Sequence, residues 1–317
     1  MKPATPYPPA CDSLPWVTLV TPSYNARPYL RAAIDSVLGQ DYPHIEYLVM
    51  DGGSTDGTLE LLTAFGDRVR WVSEPDAGQA DAIARGFEQT RGTILGWLNA
   101  DDVLKPGAVR AAVAALQTHP QAALVYGNAD FIDALGDTIG PCTVVEPYSR
   151  HRLLHYGDYI VQPAALFTRQ AYAAVGGLDR SLHWAMDWDL WLRLARHYEV
   201  VAVEAELASY RWLGSNKTAE GGFERLKEVE AVARRHGCNG LPAYFRLERA
   251  RLYAAQARRA LRQRQFLAAL GSLGQAAATI FSSWRATRSL CDPHVWRNYR
   301  TASRLQRRAT QAMIGGI

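Results

Sequence analysis

Apolar positions along this chain change their period several times, and the changes mark out elements. Residues 16–22 (WVTLVTP) are a β-rich apolar run closed by a proline; residues 28–40 then take helical spacing, with Leu30, Ile34, Val37 and Leu38 on one face. IEYLVMD at 45–51 reads as a second strand ending in an aspartate. GGSTDGT at 52–58 is a turn in which Ser54, Thr55 and Asp56 are all favoured cap residues, and it opens a helix over about 58–65. RVRWVSE at 68–74, a helix at about 79–90 and the strand TILGWLNADD continue the alternation. Short joints between alternating strands and helices predict an α/β fold, Rossmann-like, with a mostly parallel sheet flanked by helices. Further on, the pattern predicts a helix at about 106–118, a strand at 122–126, a short helix over 167–177, an amphipathic helix over 185–197 and a strand at 199–203. The loop YRWLGSNKT follows at 210–218, and from 223 the chain is almost wholly helical.

Polar residues gather where the strands finish: Ser23 and Asn25, Asp51, Glu74 and Asp76, then Asn99, Asp101 and Asp102. In open α/β sheets the ligand crevice lies outside the carboxyl ends of the strands, so four successive strands deliver polar groups to one rim. A chain of 317 residues, about half of them apolar, is long enough for one large domain with an appendage. Residues 1–15 read as a proline-rich lead-in, 16–220 as the α/β domain and 221–317 as a basic helical region. Cys11, Cys142, Cys238 and Cys291 lie far apart with no CxxC pair, which argues against a disulfide framework or zinc cluster; with no signal peptide visible, a cytoplasmic location is expected.

The charge is split. Residues 221–317 hold about 18 Lys and Arg against about 5 Asp and Glu, while the rest of the chain is net acidic. A basic appendage of this kind points to an anionic surface.

Several constellations have both a plain and a functional reading. Asp101–Asp102, adjacent after a buried strand, repel each other unless one caps the next helix or a divalent cation such as Mn²⁺ or Mg²⁺ sits between them and a phosphate; the pair's position on the same rim as Asp51 favours the cation. The turn Asp51–Asp56 is either an ordinary β-to-α joint or a place where a carboxylate meets a base imide beside a helix N-terminus. It lacks the GxGxxG and GxxxxGK spacings, which disfavours a nicotinamide-dependent oxidoreductase and a P-loop enzyme. Asp187 and Asp189 lie two apart on a helix and point in different directions, so they form no chelating pair. Trp184, Trp188 and Trp191 are either core anchors or walls of an acceptor cleft, with Asp187 at the helix start as a general base.

The runs WVTLVTPSYN, LVMDGGSTDGT, SEPDAGQADAIARGF and LGWLNADDVLKPGA, followed by QPAALFTRQAYAAVGGLD and HWAMDWDLWLRLA, resemble the second family of inverting glycosyltransferases, with the GT-A fold, over about residues 16–218. The resemblance implies that Thr21, Pro22, Tyr24 and Asn25 line a nucleoside pocket, that Asp51 holds the base imide (favouring UDP or dTDP), and that Ser54 and Asp56 support its turn. It implies further that Asp76 and Asp81 sit near ribose and sugar, Arg85 near the diphosphate, Asn99 at the first position of the metal motif, Asp101 and Asp102 on the metal, and Asp187 on the acceptor hydroxyl as base. Two positions depart from the pattern: Asn99 stands where an aspartate is usual, and Leu213 where the loop YRxHxxSxT has a histidine. Arg211, Ser215 and Lys217 remain as phosphate donors. The implied partners are a nucleotide-sugar and a glycan or lipid-linked glycan; the Leu213 departure leaves a non-catalytic sugar-nucleotide-binding or scaffold subunit as the alternative.

Residues 266–284 carry no charge over a length that could span a bilayer, but their glycine, glutamine and hydroxyl content predicts a packed helical hairpin instead. Flanking Arg262, Arg264, Arg285 and Arg288 predict contact with anionic lipid at the inner face of the cell membrane. With no nucleic-acid-binding module in the sequence, no nucleic-acid partner is expected.

Overall fold

A computed structural model describes residues 14–143, 146–214 and 216–281. Ser215, Arg285, Arg288, Cys11 and Cys291 of the preceding reading lie outside them, as does most of the lead-in.

The first half alternates as its periodicity predicts: β1 (Val17–Ser23), α1 (Arg27–Leu38), β2 (Ile45–Asp51), α2 (Thr58–Ala64), β3 (Arg70–Ser73), α3 (Gln79–Glu88) and β4 (Ile94–Trp97). The second half holds β5 (Val103–Leu104), α4 (Ala108–Thr118), β6 (Ala122–Ile132), β7 (Thr138–Thr143), α5 (Arg150–His155), β8 (Ala165–Thr168), α6 (Arg169–Ala174), α7 (Met186–His197) and β9 (Glu199–Arg211). Helices α8 (Lys217–Glu220), α9 (Gly222–Arg235), α10 (Ala243–Arg262) and α11 (Phe266–Phe281) follow.

The described strands form one sheet in the order β3-β2-β1-β4-β8-β6-β9-β5, with β7 beside β6. β1 through β4 pair in parallel, as do β6 and β9, while β8 runs antiparallel to both β4 and β6. The sheet is therefore mixed, and parallel throughout its β1–β4 half. Alternate side chains feed two cores. Val20, Leu48, Leu95 and Trp97 face α3 and α7, whereas Leu19, Val49 and Ile94 face α1, α2 and α4. Burial on both faces is why these strands read as nearly continuous apolar runs.

Two expectations change. β6 and β9 are much longer than the runs at 122–126 and 199–203 suggested, because each continues past polar residues to pair with the other as far as Ile132 and Arg211. Residue 220 is also no packing boundary. Leu226, Val229 and Val232 of α9, and Phe245 near the start of α10, are buried in the main core. No helix among the described residues is long and apolar enough to cross a membrane.

Candidate active site

Asp51 ends β2 with both carboxylate oxygens occupied. One accepts from the Gly53 amide (3.1 Å), the Ser54 amide (3.0 Å) and the Ser73 hydroxyl (2.7 Å); the other accepts from the Ser54 hydroxyl at 2.5 Å. Asn25, held at φ 49°, completes the turn: its amide donates to Ser54 Oγ (2.8 Å) and its Oδ1 accepts from the Thr55 amide (2.9 Å). Asp56 accepts from the amides of Arg27 and Thr58, both at 3.1 Å. A Cβ on Gly52 would stand 2.7 Å from Asp76 Oδ2 and 3.5 Å from the ring of Tyr24, a tyrosine 67% exposed. Asp76 thus packs against the Gly52 backbone beside an exposed aromatic ring.

Other predicted residues sit here differently. Thr21 and Pro22 are buried in β1, and the Thr21 hydroxyl bonds to that of Tyr47 at 2.9 Å, so they form the floor and not the lining. Asp81 and Arg85 are spent on charge pairs: Arg85 binds Glu74 and the Pro75 carbonyl, while Asp81 binds Arg180 at 2.9 Å. That cluster ties α3 to Glu74 and to Arg180.

Asp101 and Asp102 follow β4. Asp102 is 1% exposed and accepts from the Arg211 amide (2.9 Å) and from Asn99 Nδ2 (3.0 Å). Burial, and then the charge of Asp101, push its carboxyl well above the usual range; burial also raises Asp101. Asn99 is fixed on its other side: its Oδ1 accepts from Gln79 Nε2 at 2.7 Å, and its Nδ2 also reaches Gln162 Oε1 at 3.1 Å. Gln79 in turn accepts from Lys217 Nζ at 3.1 Å. Among the described residues no three His, Cys, Asp or Glu side chains gather around a metal position. Two adjacent carboxylates, Asp102 buried and Asp101 partly so, nevertheless fit Mn²⁺ or Mg²⁺ of the kind that takes one or two protein carboxylates and completes its shell with phosphate and water.

Arg211 is not a phosphate donor in this arrangement. It is 3% exposed, its Nε donates to the Asp101 carbonyl (2.8 Å) and one of its terminal nitrogens to the Asp133 carbonyl (2.6 Å). The loop carrying Leu213 is tied down by Asn216, which accepts from the Leu213 amide (2.6 Å) and donates to Asp101 Oδ2 (3.2 Å).

Asp187 opens α7, its Oδ1 accepting from the Trp188 amide at 2.8 Å. Burial raises its carboxyl, against the opposing charges of Lys217 and Arg225. The preceding turn is capped from α9, where Glu228 accepts from the amides of His183 (2.9 Å), Trp184 (2.6 Å) and Ala185 (2.8 Å). The Trp184 indole donates to the Lys217 carbonyl at 3.2 Å and so secures the loop beside Asp187. Trp188 and Trp191 are core residues and not cleft walls: Trp191 stacks on Trp97 at 5.6 Å, and the Trp188 indole donates to the Leu153 carbonyl at 2.9 Å. Asp189, as its direction on the helix predicted, points elsewhere, to Arg193 and His236.

The structure thus brings Asp101, Asp102, Asn99 and Lys217 together with Asp187 through Gln79. Sequence reasoning missed Gln79, Gln162, Asn216 and Glu228. Only the adjacency of Gln79 to the turn at Asp76 and of Asn216 to Lys217 hinted at two of them.

Residues 18–173 match the family model described as Glycosyl transferase family 2. The chain is similar to an uncharacterized glycosyltransferase of Rickettsia typhi, 28% identical over 229 residues that cover 69% of this chain and 70% of that protein. It is also similar to a chondroitin synthase of Escherichia coli, 31% identical over 185 residues; these cover 57% of this chain and 27% of the synthase, so the match spans about a quarter of that relative's length. Among solved structures, S. aureus TarS 1–349 in complex with UDP-GlcNAc superposes with a TM-score of 0.58 at 14% identity, covering 94% of this chain and 92% of that one. The mannosyltransferase PcManGT of Pyrobaculum calidifontis, in complex with GDP-Man and Mn²⁺, gives 0.57 at 20% identity, covering 95% and 86%. At these identities the two structures show a shared fold.

Proposed function

Residues 18–173 place the chain in glycosyl transferase family 2, and from that premise we propose that it moves a sugar, with inversion, from a UDP- or dTDP-sugar to a hydroxyl of a glycan or lipid-linked glycan. The observation that supports this best is the hydrogen-bonded line from Asp102 through Asn99 and Gln79 to Lys217, whose charge acts on Asp187. In this reading the line joins a leaving-group site to a base. In this reading the Tyr24 ring stacks on the nucleoside base, with Asp51 and Asn25 shaping the turn beneath it and Asp76 beside the ribose. Asp187 takes the proton of the acceptor hydroxyl. That oxygen attacks the anomeric carbon from the face opposite the diphosphate, the bond to the diphosphate breaks, and the nucleoside diphosphate departs. Lys217 donates to the phosphate oxygens as their charge grows. A bound Mn²⁺ or Mg²⁺, held by Asp101 and Asp102, would supply Lewis-acid neutralisation of the same group.

The test is a panel of nucleotide-sugars with purified protein and Mn²⁺ or Mg²⁺, following nucleoside diphosphate release, with EDTA as control. Metal-dependent release from one donor is expected. Asp187→Asn and Asp102→Ala are each expected to abolish it, with donor binding surviving the first. Retained turnover in Asp187→Asn removes the base assignment. Calorimetric binding of UDP without release from any donor, even with glycan acceptors supplied, favours the non-catalytic reading.

The α10–α11 hairpin suits an anionic membrane at the inner face of the cell. Residues 249–281 contain six arginines and no acidic residue. At the hairpin tip Phe266, Leu267 and Leu270 are 64%, 86% and 65% exposed, beside exposed Arg262 and Arg264. Exposed apolar side chains with arginines around them fit the headgroup boundary of a bilayer. The full chain is expected to sediment with phosphatidylglycerol vesicles and not with phosphatidylcholine vesicles, and Leu267→Glu with Leu270→Glu should abolish it. Equal sedimentation with both vesicle types would reject the assignment.

A further inference from the structure

Gln79 is the first residue of α3, and the turn before it is held locally. The Gly78 amide donates to Asp76 Oδ1 at 2.8 Å, and Gly78 takes φ 118°, in the region that favours glycine. The next residue, Ala80, is buried, so the glutamine side chain leaves from a fixed point. It reaches two ways: its Nε2 donates to Asn99 Oδ1 at 2.7 Å, and its Oε1 accepts from Lys217 Nζ at 3.1 Å.

The direction of each bond in this line is dictated from its ends. An ammonium only donates, so Gln79 turns its oxygen to Lys217 and its amino group to Asn99. On the far side Gln162 spends its own amino group on the Trp97 carbonyl at 2.7 Å and offers its oxygen to Asn99. One arrangement is left for Asn99, with its oxygen toward Gln79 and its amino group toward Gln162 (3.1 Å) and Asp102 Oδ2 (3.0 Å). The other Asp102 oxygen accepts from the Arg211 amide at 2.9 Å. A donor on each oxygen fixes the carboxylate plane, and a carboxylate oxygen so bonded keeps a second lone pair for a cation. An aspartate at position 99 would still accept from Gln79, but it would set acceptor against acceptor at Gln162 and charge against charge at Asp102.

We propose that Gln79 is a positioning residue for the metal site: it fixes Asn99 as a hydrogen-bond donor to Asp102, and not as a metal ligand, and so holds that carboxylate in place for Mn²⁺ or Mg²⁺. The inference rests on Asp101 and Asp102 as the metal carboxylates. Residues that orient a metal ligand in this way act on affinity without touching the ion. Gln79 therefore acts through Asn99, and removing it should cost nothing further once Asn99 is gone.

Mn²⁺ titrated into the donor-free full chain, with the free ion read by electron paramagnetic resonance, tests this without turnover. Gln79→Met, close to glutamine in length but without the amide, is expected to weaken Mn²⁺ binding about 10-fold or more, and Asn99→Ala by a similar factor. The double variant should bind Mn²⁺ as Asn99→Ala does, the non-additivity of residues acting in one line. Gln79→Asn, which stays polar but is one methylene too short to span Asn99 and Lys217, should also weaken binding. Melting of the metal-free proteins separates positioning from a fold defect: the variants are expected to lose Mn²⁺ affinity while melting close to wild type. A Gln79→Met dissociation constant within about twofold of wild type, losses that multiply in the double variant, or a loss of affinity that tracks a matching fall in melting temperature each overturn the proposal. Wild-type protein that binds no Mn²⁺ overturns it together with the metal assignment. If Mn²⁺ binds but no donor releases its nucleoside diphosphate, only the transfer reading fails, and the titration still decides the role of Gln79.

Discussion

A single amide, Asn216, joins three parts of the site: it accepts from Leu213, donates to the Arg211 carbonyl and donates to Asp101. Beside Leu213, which departs from the histidine pattern, the loop thus reaches Asp101, a carboxylate proposed to hold the metal, through Asn216. Asn216→Ala is expected to raise the Mn²⁺ concentration for half-maximal activity about 10- to 100-fold, the range seen when residues that orient metal ligands are lost; metal titration of the rate checks it. Asp101 and Asp102 both have native pKa values above their unfolded ones, so the native state binds the extra protons. Their contribution is therefore most favourable near pH 4 and is lost as pH rises toward the native values. Metal-free protein should melt higher at pH 5 than at pH 8, and Asp101→Asn, which keeps an acceptor for Asn216, should gain about 1 kcal/mol at pH 8 while losing transfer. Thermal denaturation across pH decides both. At this scale Asp101, Asp102, Lys217 and Asp187 stood out in the chain because carboxylates and a lysine at strand and helix ends do so. The pairings of Arg211, Asp81 and Arg85 were not legible, because a charge that serves a ligand and one that serves a distant carbonyl or carboxylate look alike until the chain folds.

Among elements, α7 depends on a cap supplied from elsewhere. Its N-cap residue, Ala185, has no capping side chain; Glu228 of α9 instead holds the preceding turn through three amides. An anion at this end also suits the helix dipole. Glu228→Ala should lower stability by about 1–3 kcal/mol, as expected when buried donors lose their partner, and should loosen Trp184 and with it Lys217, so donor KM rises together with the loss in melting temperature. A melting temperature equal to wild type would show that the cap is idle. Strand–helix alternation through β4 was readable because each element there is bounded by turns and buried on a predictable face. The extended ends of β6 and β9 were not, since polar residues in an edge-to-edge pairing break the apolar period. The tryptophans of α7 could not be divided between core and cleft by spacing alone, because both lie within one broad apolar stripe.

Across the whole molecule, the proposed reaction puts the nucleotide at the parallel strands and the acceptor at α7 with its loops, and α9 belongs to the same core. The rim at the strand ends was legible from the places where carboxylates end apolar runs. The point where the appendage starts was not, because the basic composition begins before the packing changes. One contact between the halves has a spectroscopic consequence. Trp97 of β4 and Trp191 of α7 stack at 5.6 Å with planes only 18° apart, in a region sealed from solvent. Two indole chromophores that close, held rigidly, couple their transitions and give a paired positive and negative circular-dichroism band that neither gives alone. The molecule thus carries an optical marker for the seam between donor and acceptor halves, one that should vanish in Trp191→Phe and fade during unfolding when the seam opens, even while the parallel strands still hold.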